Sequence, residues 1–351
     1  MEAHDILRHR LINQQLAGTT FKKPDEIVRW MAAMQAQEFA HAKWAIGLRL
    51  PSATDAEVEA CFNKGKILRT HILRPTWHFV APEDIRWLIT LTSPRVNAAN
   101  TFMYKKLELD QKVFKATSHV LEKMLQGGKH LTREILNQEF GKKKIVAKGL
   151  RLGYIFMRAE LDGLICSGPR EGKQFTYALL EERVPPAKVL NREEGLAELS
   201  RRYFISRGPA TIRDFVTWSG LTMKEAKQGI SSLPKDIIQD RTGEQEYVYK
   251  EISTGKVKIN STFIMPDYDE YGMSYKDRSA LMPAGKVARQ KLAGSSDYTH
   301  WLIVEGVMGG SWKKTEDDTV IDVTTFERLG RSQQQEVKRA VDRYKAFASR
   351  G

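Results

Sequence analysis

The most constraining feature of this sequence is a change of hydrophobic period, from helical to alternating, that follows three helices each time it occurs. In 114-FKATSHVLEKMLQGGKHLTREILNQEFGKKK-144 the pattern predicts a helix stopped at Gly127-Gly128 and a shorter one N-capped by Thr132. A third helix is predicted in 147-AKGLRLGYIFMRAELDG-163, with Leu152, Ile155, Phe156 and Ala159 on one side and Lys148, Arg151 and Arg158 on the rest. In 164-LICSGPREGKQFTYALL-180 two strand-like runs then flank the turn Gly168-Pro169-Arg170-Glu171-Gly172. Three helices and a hairpin make a winged helix.

The same order recurs in 193–233, with a Gly-Pro break, a helix closing at Ser219-Gly220 and another beginning after Thr222, followed by the hairpin 237-IIQDRTGEQEYVYK-250. It is legible again near the start, as helices around 4–15, 24–35 and 54–64 and paired strands in 67-ILRTHILRPTWHFVAP-82. Helical repeats of other kinds share this periodicity; the hairpin after every third helix favours tandem winged helices. Linkers are expected at 183-RVPPAKVLNRE-193, which Pro185 and Pro186 interrupt, and at 251-EISTGKV-257. Beyond them, 257–265, 301–314 and 319–326 read as strands, and Val337, Ala340, Val341, Tyr344 and Phe347 fall at helical spacing in 331–349. The fold class is α+β: three tandem winged-helix (helix-turn-helix) domains at 1–110, 111–187 and 188–252, then a small β-rich domain at 253–351.

Lys and Arg number 56 against 43 Asp and Glu, and a net charge of +13 suits a partner that is a polyanion, although a merely soluble basic protein fits the charge equally. The two cysteines, Cys61 and Cys166, have neither disulfide-framework nor zinc-ligand spacing, which fits a reducing cytoplasm. The start, MEAHDILRHRLINQQL, lacks the apolar stretch of a signal peptide, and no run approaches the roughly 18 apolar residues of a membrane span. No P-loop, dinucleotide fingerprint or G-x-S-x-G elbow is present, so nucleotide-driven chemistry and serine hydrolysis lack their usual supports.

Candidate chemistry begins in 31-MAAMQAQEFAHAKW-44. On a continuous helix Gln35 and Gln37 diverge by about 200°, so they share a site only if the helix stops there and the backbone extends. A glutamine amide is no general base, but its carbonyl can orient a water and favour a developing positive charge. Such a pair suits a reaction whose leaving group needs no protonation; by spacing alone, Gln-x-Gln is more commonly a surface or capping pair. Glu38 and His41, three apart, have the spacing of an acid–base pair, and more commonly of a helix surface contact. In 70-THILRPTWHF-79 alternation sends His71, Leu73, Trp77 and Phe79 to a packed face and Thr70, Arg74, Thr76 and His78 to a polar one able to meet phosphates or bases. The loop 265-MPDYDEYGMSYKDR-278 gathers carboxylates, tyrosines, Lys276 and Arg278, but its D-x-D-E spacing completes no metal-ligand set.

Five separated motifs, 34-MQAQEF-39, 69-RTHILRPTWHFV-80, 208-GPATIRDFVTWSGLT-222, 264-IMPDYDEYGMSYKDR-278 and 304-VEGVMGGSWKK-314, occur in the order of the AlkZ/YcaQ family of winged-helix DNA glycosylases, which the chain resembles over nearly its whole length. The resemblance implies that the C-terminal domain is a β-barrel and that the modules form a concave basic surface around double-stranded DNA. It also implies that Gln35 and Gln37 hold the water attacking C1′ of an alkylated nucleotide, as in the branch associated with bulky lesions and interstrand crosslinks. An N7-alkylated guanine is already cationic, so its glycosidic bond can break without a general acid. Arg69, Arg74, Thr76, His78, Arg170, Asp269, Tyr271, Lys276 and Arg278 are the implied contacts to DNA or lesion. Pro75, Trp77 and the run Tyr271–Tyr275 depart from the family's texture, which would reshape the lesion pocket. No cofactor, metal, nucleotide or membrane is implied, and the protein is expected to be a cytoplasmic monomer, nucleoid-associated if bacterial. The segment's lone lysine is Lys43, so no Schiff-base lyase step is expected. A non-catalytic winged-helix regulator, dimeric on two half-sites, is the alternative.

Overall fold

The computed structural model describes residues 1–252, 262–283, 285, 300–315 and 321–349. Helix α1 (Ala3–Asn13) precedes α2 (Pro24–Met31), which opens on Pro24 with Asp25 and Glu26 in its first turn, where a fixed φ and negative charge both favour a start. A short strand β1 (Ala33–Gln35), helices α3 (Phe39–Arg49) and α4 (Asp55–Asn63) and the hairpin β2 (Leu68–Ile72)–β3 (Thr76–Val80) follow. The sheet order is β1-β3-β2, all antiparallel. The helices expected around 4–15, 24–35 and 54–64 are α1, α2 and α4, and α3 is a further helix between the last two. The helix expected over 24–35 ends at Met31, because Ala32 turns to φ 58° and the next residues pair with β3.

Helices α5 (Pro82–Ala99) and α6 (Thr101–Lys106) lead to a second unit with the same order: α7 (Gln111–Leu125), β4 (Leu131–Thr132), α8 (Arg133–Lys142), α9 (Gly149–Leu161), β5 (Ile165–Glu171) and β6 (Gln174–Leu179). Thr132 caps α8 through its hydroxyl, and β4-β6-β5 repeats the first sheet's arrangement. After α10 (Leu180–Arg183), the third unit comprises α11 (Arg192–Arg207), α12 (Ile212–Ser219), α13 (Met223–Ser231) and the hairpin β7 (Ile237–Thr242)–β8 (Gln245–Lys250). A single bridge, Ala210 to Val248, stands where the other units have β1 and β4. Gly220 closes α12 at φ 72°, and Thr222 starts α13 with a capping box to Glu225.

Beyond residue 261 come β9 (Phe263–Ile264), α14 (Glu270–Met273), β10 (Trp301–Val304), β11 (Val307–Lys314), β12 (Ile321–Thr325) and a terminal helix, Arg331–Ser349. These strands form one antiparallel sheet in the order β12-β11-β10-β9; among the described residues it is open, not the expected closed barrel. Residues 257–261 and 319–320 of the expected strands, and 253–257 of the expected linker, lie outside the described residues.

Three apolar cores fix how the units meet. The second unit has its own, around Phe140, Phe156, Leu121 and Tyr177. The first unit has none to itself. Met34, Phe39, Trp44, Phe62 and Phe79 share a core with Phe263, Trp301, Ile303, Trp312 and Phe347 of the C-terminal sheet and helix. On the other face of β1-β3-β2, Ala33, Leu68, Ile72 and Val80 pack with Tyr203, Phe215 and Trp218 of the third unit. A sheet buried on both faces cannot display the polar face expected of its hairpin, and Thr70 and His78 have no exposed surface.

Candidate active site

The helix stop that a shared glutamine site requires is present. Gln35 ends β1 opposite His78, and the ladder runs one residue further, the Ala36 N–H donating to the Trp77 carbonyl at 2.7 Å. Gln35 is 8% exposed, whereas Gln37 lies in the bend before α3 and is half-buried. The Gln35 side-chain oxygen accepts a hydrogen bond from Arg74 Nη2 at 3.1 Å. The other arm of that guanidinium, Nη1, donates at 3.1 Å to the Thr217 carbonyl in the last turn of α12, where carbonyls lack helical partners. Arg74 therefore bridges Gln35 and the third unit, and burial lowers its pKa. The turn carrying it is seated by Gly220, where a Cβ would come within 2.4 Å of the Leu73 carbonyl oxygen.

The Gln35 backbone is held from the opposite end of the chain. Its N–H donates to Glu270 Oε1 at 2.9 Å, while Oε2 accepts from Trp218 Nε1 (2.9 Å), Arg207 Nη2 (2.9 Å) and Ser274 Oγ (2.7 Å). Burial alone would raise the Glu270 pKa; the Arg207 charge and these donors outweigh it and hold the carboxylate at about 2. Arg207 also donates to the carbonyls of Met31 and Ala33, on either side of the helix break. A second buried pair lies alongside: Arg49 meets Asp269 through both arms, at 2.8 and 2.9 Å, and donates to the Gln14 side-chain oxygen at 2.8 Å. Gln14 reaches Tyr275, whose hydroxyl donates to the Arg207 carbonyl at 2.8 Å. Two arginines, two carboxylates and their donors thus clamp the strand that presents Gln35.

His78, cross-strand from Gln35 and from Thr70, donates through Nδ1 to the Thr76 carbonyl at 3.0 Å. Burial, reinforced by the Arg74 charge, drives its pKa to about 3, so its ring is neutral at physiological pH. Its Nε2 and the hydroxyl oxygens of Thr70 and Thr76 are buried without a hydrogen-bond partner among the described residues. All three belong to the face of the hairpin that carries Gln35. Buried polar atoms left open beside a candidate site suit a bound water or an incoming polar group.

Of the other expected contacts, Arg69, Asp269 and Tyr271 are buried. Arg69 donates to the carbonyls of Ala36 and Gln37 at 2.9 and 3.1 Å and stacks on Trp77 and Phe175; burial brings its pKa to about 10. Its fork supports the glutamine segment from below and is not presented to a duplex. Asp269 is spent on Arg49 and on capping α14, and Tyr271, wholly buried, donates to the Gly306 carbonyl at 2.8 Å. Arg170 lies over Phe39 and Phe175 and does not stand free at a wing tip. Arg278 donates to the Gly272 carbonyl at 2.8 Å, and Lys276 is exposed. Glu38 and His41 do not pair: Glu38 is exposed at the start of α3, and His41 Nδ1 accepts the Asp267 N–H at 3.0 Å. The residues missed from sequence are Glu270, Arg207, Arg49 and Trp218; the signal for Glu270 lay in the acidic loop, one position from the residues singled out. Three surface clefts, one lined by Trp87, Leu190 and Arg202, one by Phe21, Trp30 and Ile205 and one by Leu107, Val113 and Arg151, include neither glutamine.

Helix-and-hairpin units thus recur in a strongly basic chain, and the backbone of Gln35 is held by the buried carboxylate of Glu270. The family model described as "DNA glycosylase AlkZ-like" matches residues 28–347, and the chain belongs to that family. Among solved structures, Streptomyces sahachiroi DNA glycosylase AlkZ has the same fold, with a TM-score of 0.80 at 17% sequence identity over 99% of this chain and 98% of that one. No curated protein matches the sequence. DNA is accordingly the partner, and no helix among the described residues is long and apolar enough to cross a membrane.

Proposed function

We propose that the protein is a monofunctional glycosylase that hydrolyses the N-glycosidic bond of alkylated, cationic purines in double-stranded DNA, with Gln35 and Gln37 holding the attacking water. The carrying observation is the Gln35 amide oxygen, fixed by Arg74 at one end of a strand whose backbone is locked by Glu270. An amide oxygen has two acceptor sites, and with Arg74 on one the other is available to a water proton, turning the water oxygen toward C1′. Hydrolysis needs no acid when the leaving base already carries positive charge, and the neutral His78 supplies none. Unhooking of interstrand crosslinks belongs to the same reading, because each arm of a crosslink through N7 is such a cation. The three helix-and-hairpin units act as winged helices at 1–110, 111–187 and 188–252, with 253–351 as the C-terminal part, and the protein works as a cytoplasmic monomer.

A lyase step is opposed by Lys43, whose side-chain nitrogen is engaged by both Asp55 and Glu59 at 2.6 Å and is turned to them and not to a substrate. The test is single-turnover base release from a duplex carrying one N7-methylguanine and from a nitrogen-mustard crosslink, comparing the parent with Gln35→Ala and Gln37→Ala. Release lost in the variants with DNA binding retained, and no adduct trapped by borohydride, is expected. Binding without release by the parent on either substrate refutes the activity and leaves a DNA-binding regulator; borohydride trapping refutes the monofunctional reading.

A further inference from the structure

His41, Asp267 and His300 come from three separate segments: the first turn of α3, the loop after β9 and the residue before β10. Each offers a ligand atom, and all three atoms lie within 4.8 Å of one another. His41 Nδ1 is 3.3 Å from one Asp267 carboxylate oxygen, and His300 Nδ1 is 3.3 Å from the other. Ligand atoms about 2.0 Å from a tetrahedral ion stand about 3.3 Å apart, so each imidazole already stands at ligand spacing from one oxygen of the Asp267 carboxylate, His41 from Oδ2 and His300 from Oδ1, and a small turn of the carboxylate brings one oxygen between the two rings. His41 Nδ1 accepts the Asp267 N–H at 3.0 Å, which aims that nitrogen at the carboxylate segment, and an ion bound there would take the place of this hydrogen bond.

The scaffold is rigid where a ligand set needs it. His300 holds a left-handed backbone, φ 54°, which costs energy in a residue with a side chain. It is kept there by its N–H on Asp267 Oδ1 at 2.7 Å and by its carbonyl, which accepts the Trp312 N–H at 2.8 Å. Trp312 packs against both imidazoles, at 6.1 and 5.2 Å between ring centroids, and its own Nε1 is fixed on the Met265 carbonyl. The Trp312 indole lines one side of the cluster, and both imidazole rings are half-buried.

We propose that His41, Asp267 and His300 form a site for a zinc-like divalent transition metal, with the fourth position left to water. Two imidazoles and a carboxylate are a borderline-soft donor set that favours Zn²⁺ or Co²⁺ over Mg²⁺. The metal ties α3, which begins two residues after Gln37, to the loop carrying Asp269 and Glu270 and to the C-terminal sheet. This assignment does not depend on the glycosylase reading.

The experiment is a calorimetric titration of the full-length chain with Zn²⁺, repeated with Co²⁺ under visible absorption, for the parent, His300→Gln and Asp267→Asn. One equivalent bound by the parent, tetrahedral Co²⁺ bands, and affinity at least about tenfold weaker in each variant is the expected result. Circular dichroism checks the variants' fold; should Asp267→Asn not fold, His300→Gln, on a half-exposed ring, carries the comparison. No saturable one-to-one binding by the parent, or equal affinity in the variant, overturns the proposal.

Discussion

Replacing Glu270 by glutamine preserves shape and removes one charge. Oε1 and Oε2 both accept from N–H donors, of Gln35 on one side and of Arg207 and Trp218 on the other. An amide can satisfy one side only: whichever way it turns, its NH₂ faces a donor, and Arg207 is left buried without a counter-charge. A carboxyl whose pKa falls from 4.5 to about 2 on folding contributes, at 1.36 kcal/mol per pH unit, about 3 kcal/mol at neutral pH. Breaking a buried pair typically costs about 3–5 kcal/mol; these figures describe the same interaction and do not add. Glu270→Gln is therefore expected to lose about 3–5 kcal/mol in urea unfolding at pH 7, followed by tryptophan fluorescence. Because the folded-state pKa is depressed, the parent's advantage is complete above pH 4.5 and disappears as pH falls from there toward 2, so the gap between the proteins narrows with acid. A variant within about 1 kcal/mol of the parent at pH 7, or a gap independent of pH, would refute the clamp.

Two further expectations concern the hairpin. His78 remains neutral down to about pH 3 when folded but is protonated below about 6.5 when unfolded, so its contribution to stability is full above 6.5 and falls by about 1.4 kcal/mol per pH unit below it. Thermal unfolding of His78→Gln between pH 6.5 and 5 should show a shallower acid dependence than the parent; an unchanged slope contradicts the burial of a neutral ring. Gly220→Ala combines a left-handed backbone with a Cβ 2.4 Å from the Leu73 oxygen, and is expected to cost about 2–4 kcal/mol by thermal unfolding. Parent-like stability there would mean that the first hairpin is not seated on α12.

What was legible in the sequence was local. Thr132, Thr222 and Gly220 announce helix ends through chemistry contained within four residues, and the hairpins show themselves by alternation. The stretch after Met31 was misread because Ala, Met and Gln are good helix formers; pairing with β3 and the Arg207 bonds to the Met31 and Ala33 carbonyls override that preference. The clamp was hidden for a related reason. Arg49 and Asp269 are 220 residues apart, and Arg207 and Glu270 are 63 apart, so no spacing rule connects them. The polar alternation of 70–78 was read correctly as a pattern and wrongly as a surface, because what covers that face is the third unit. Gln35 and Gln37 could be singled out only with the condition that the helix stop before them, which it does.

The core that joins Met34, Phe39 and Trp44 to Trp312 and Phe347 also sets an order of events during synthesis. A chain leaves the ribosome N-terminus first, so the second unit, whose core is self-contained, can be complete while the first still waits. Until residue 347 has emerged, α3 lacks its apolar cover, Arg49 lacks Asp269, and the Gln35 N–H lacks Glu270 for as long as residue 270 is unmade. The segment made almost first is finished last, and a nascent chain interrupted at residue 252 carries the glutamines without the groups that hold them.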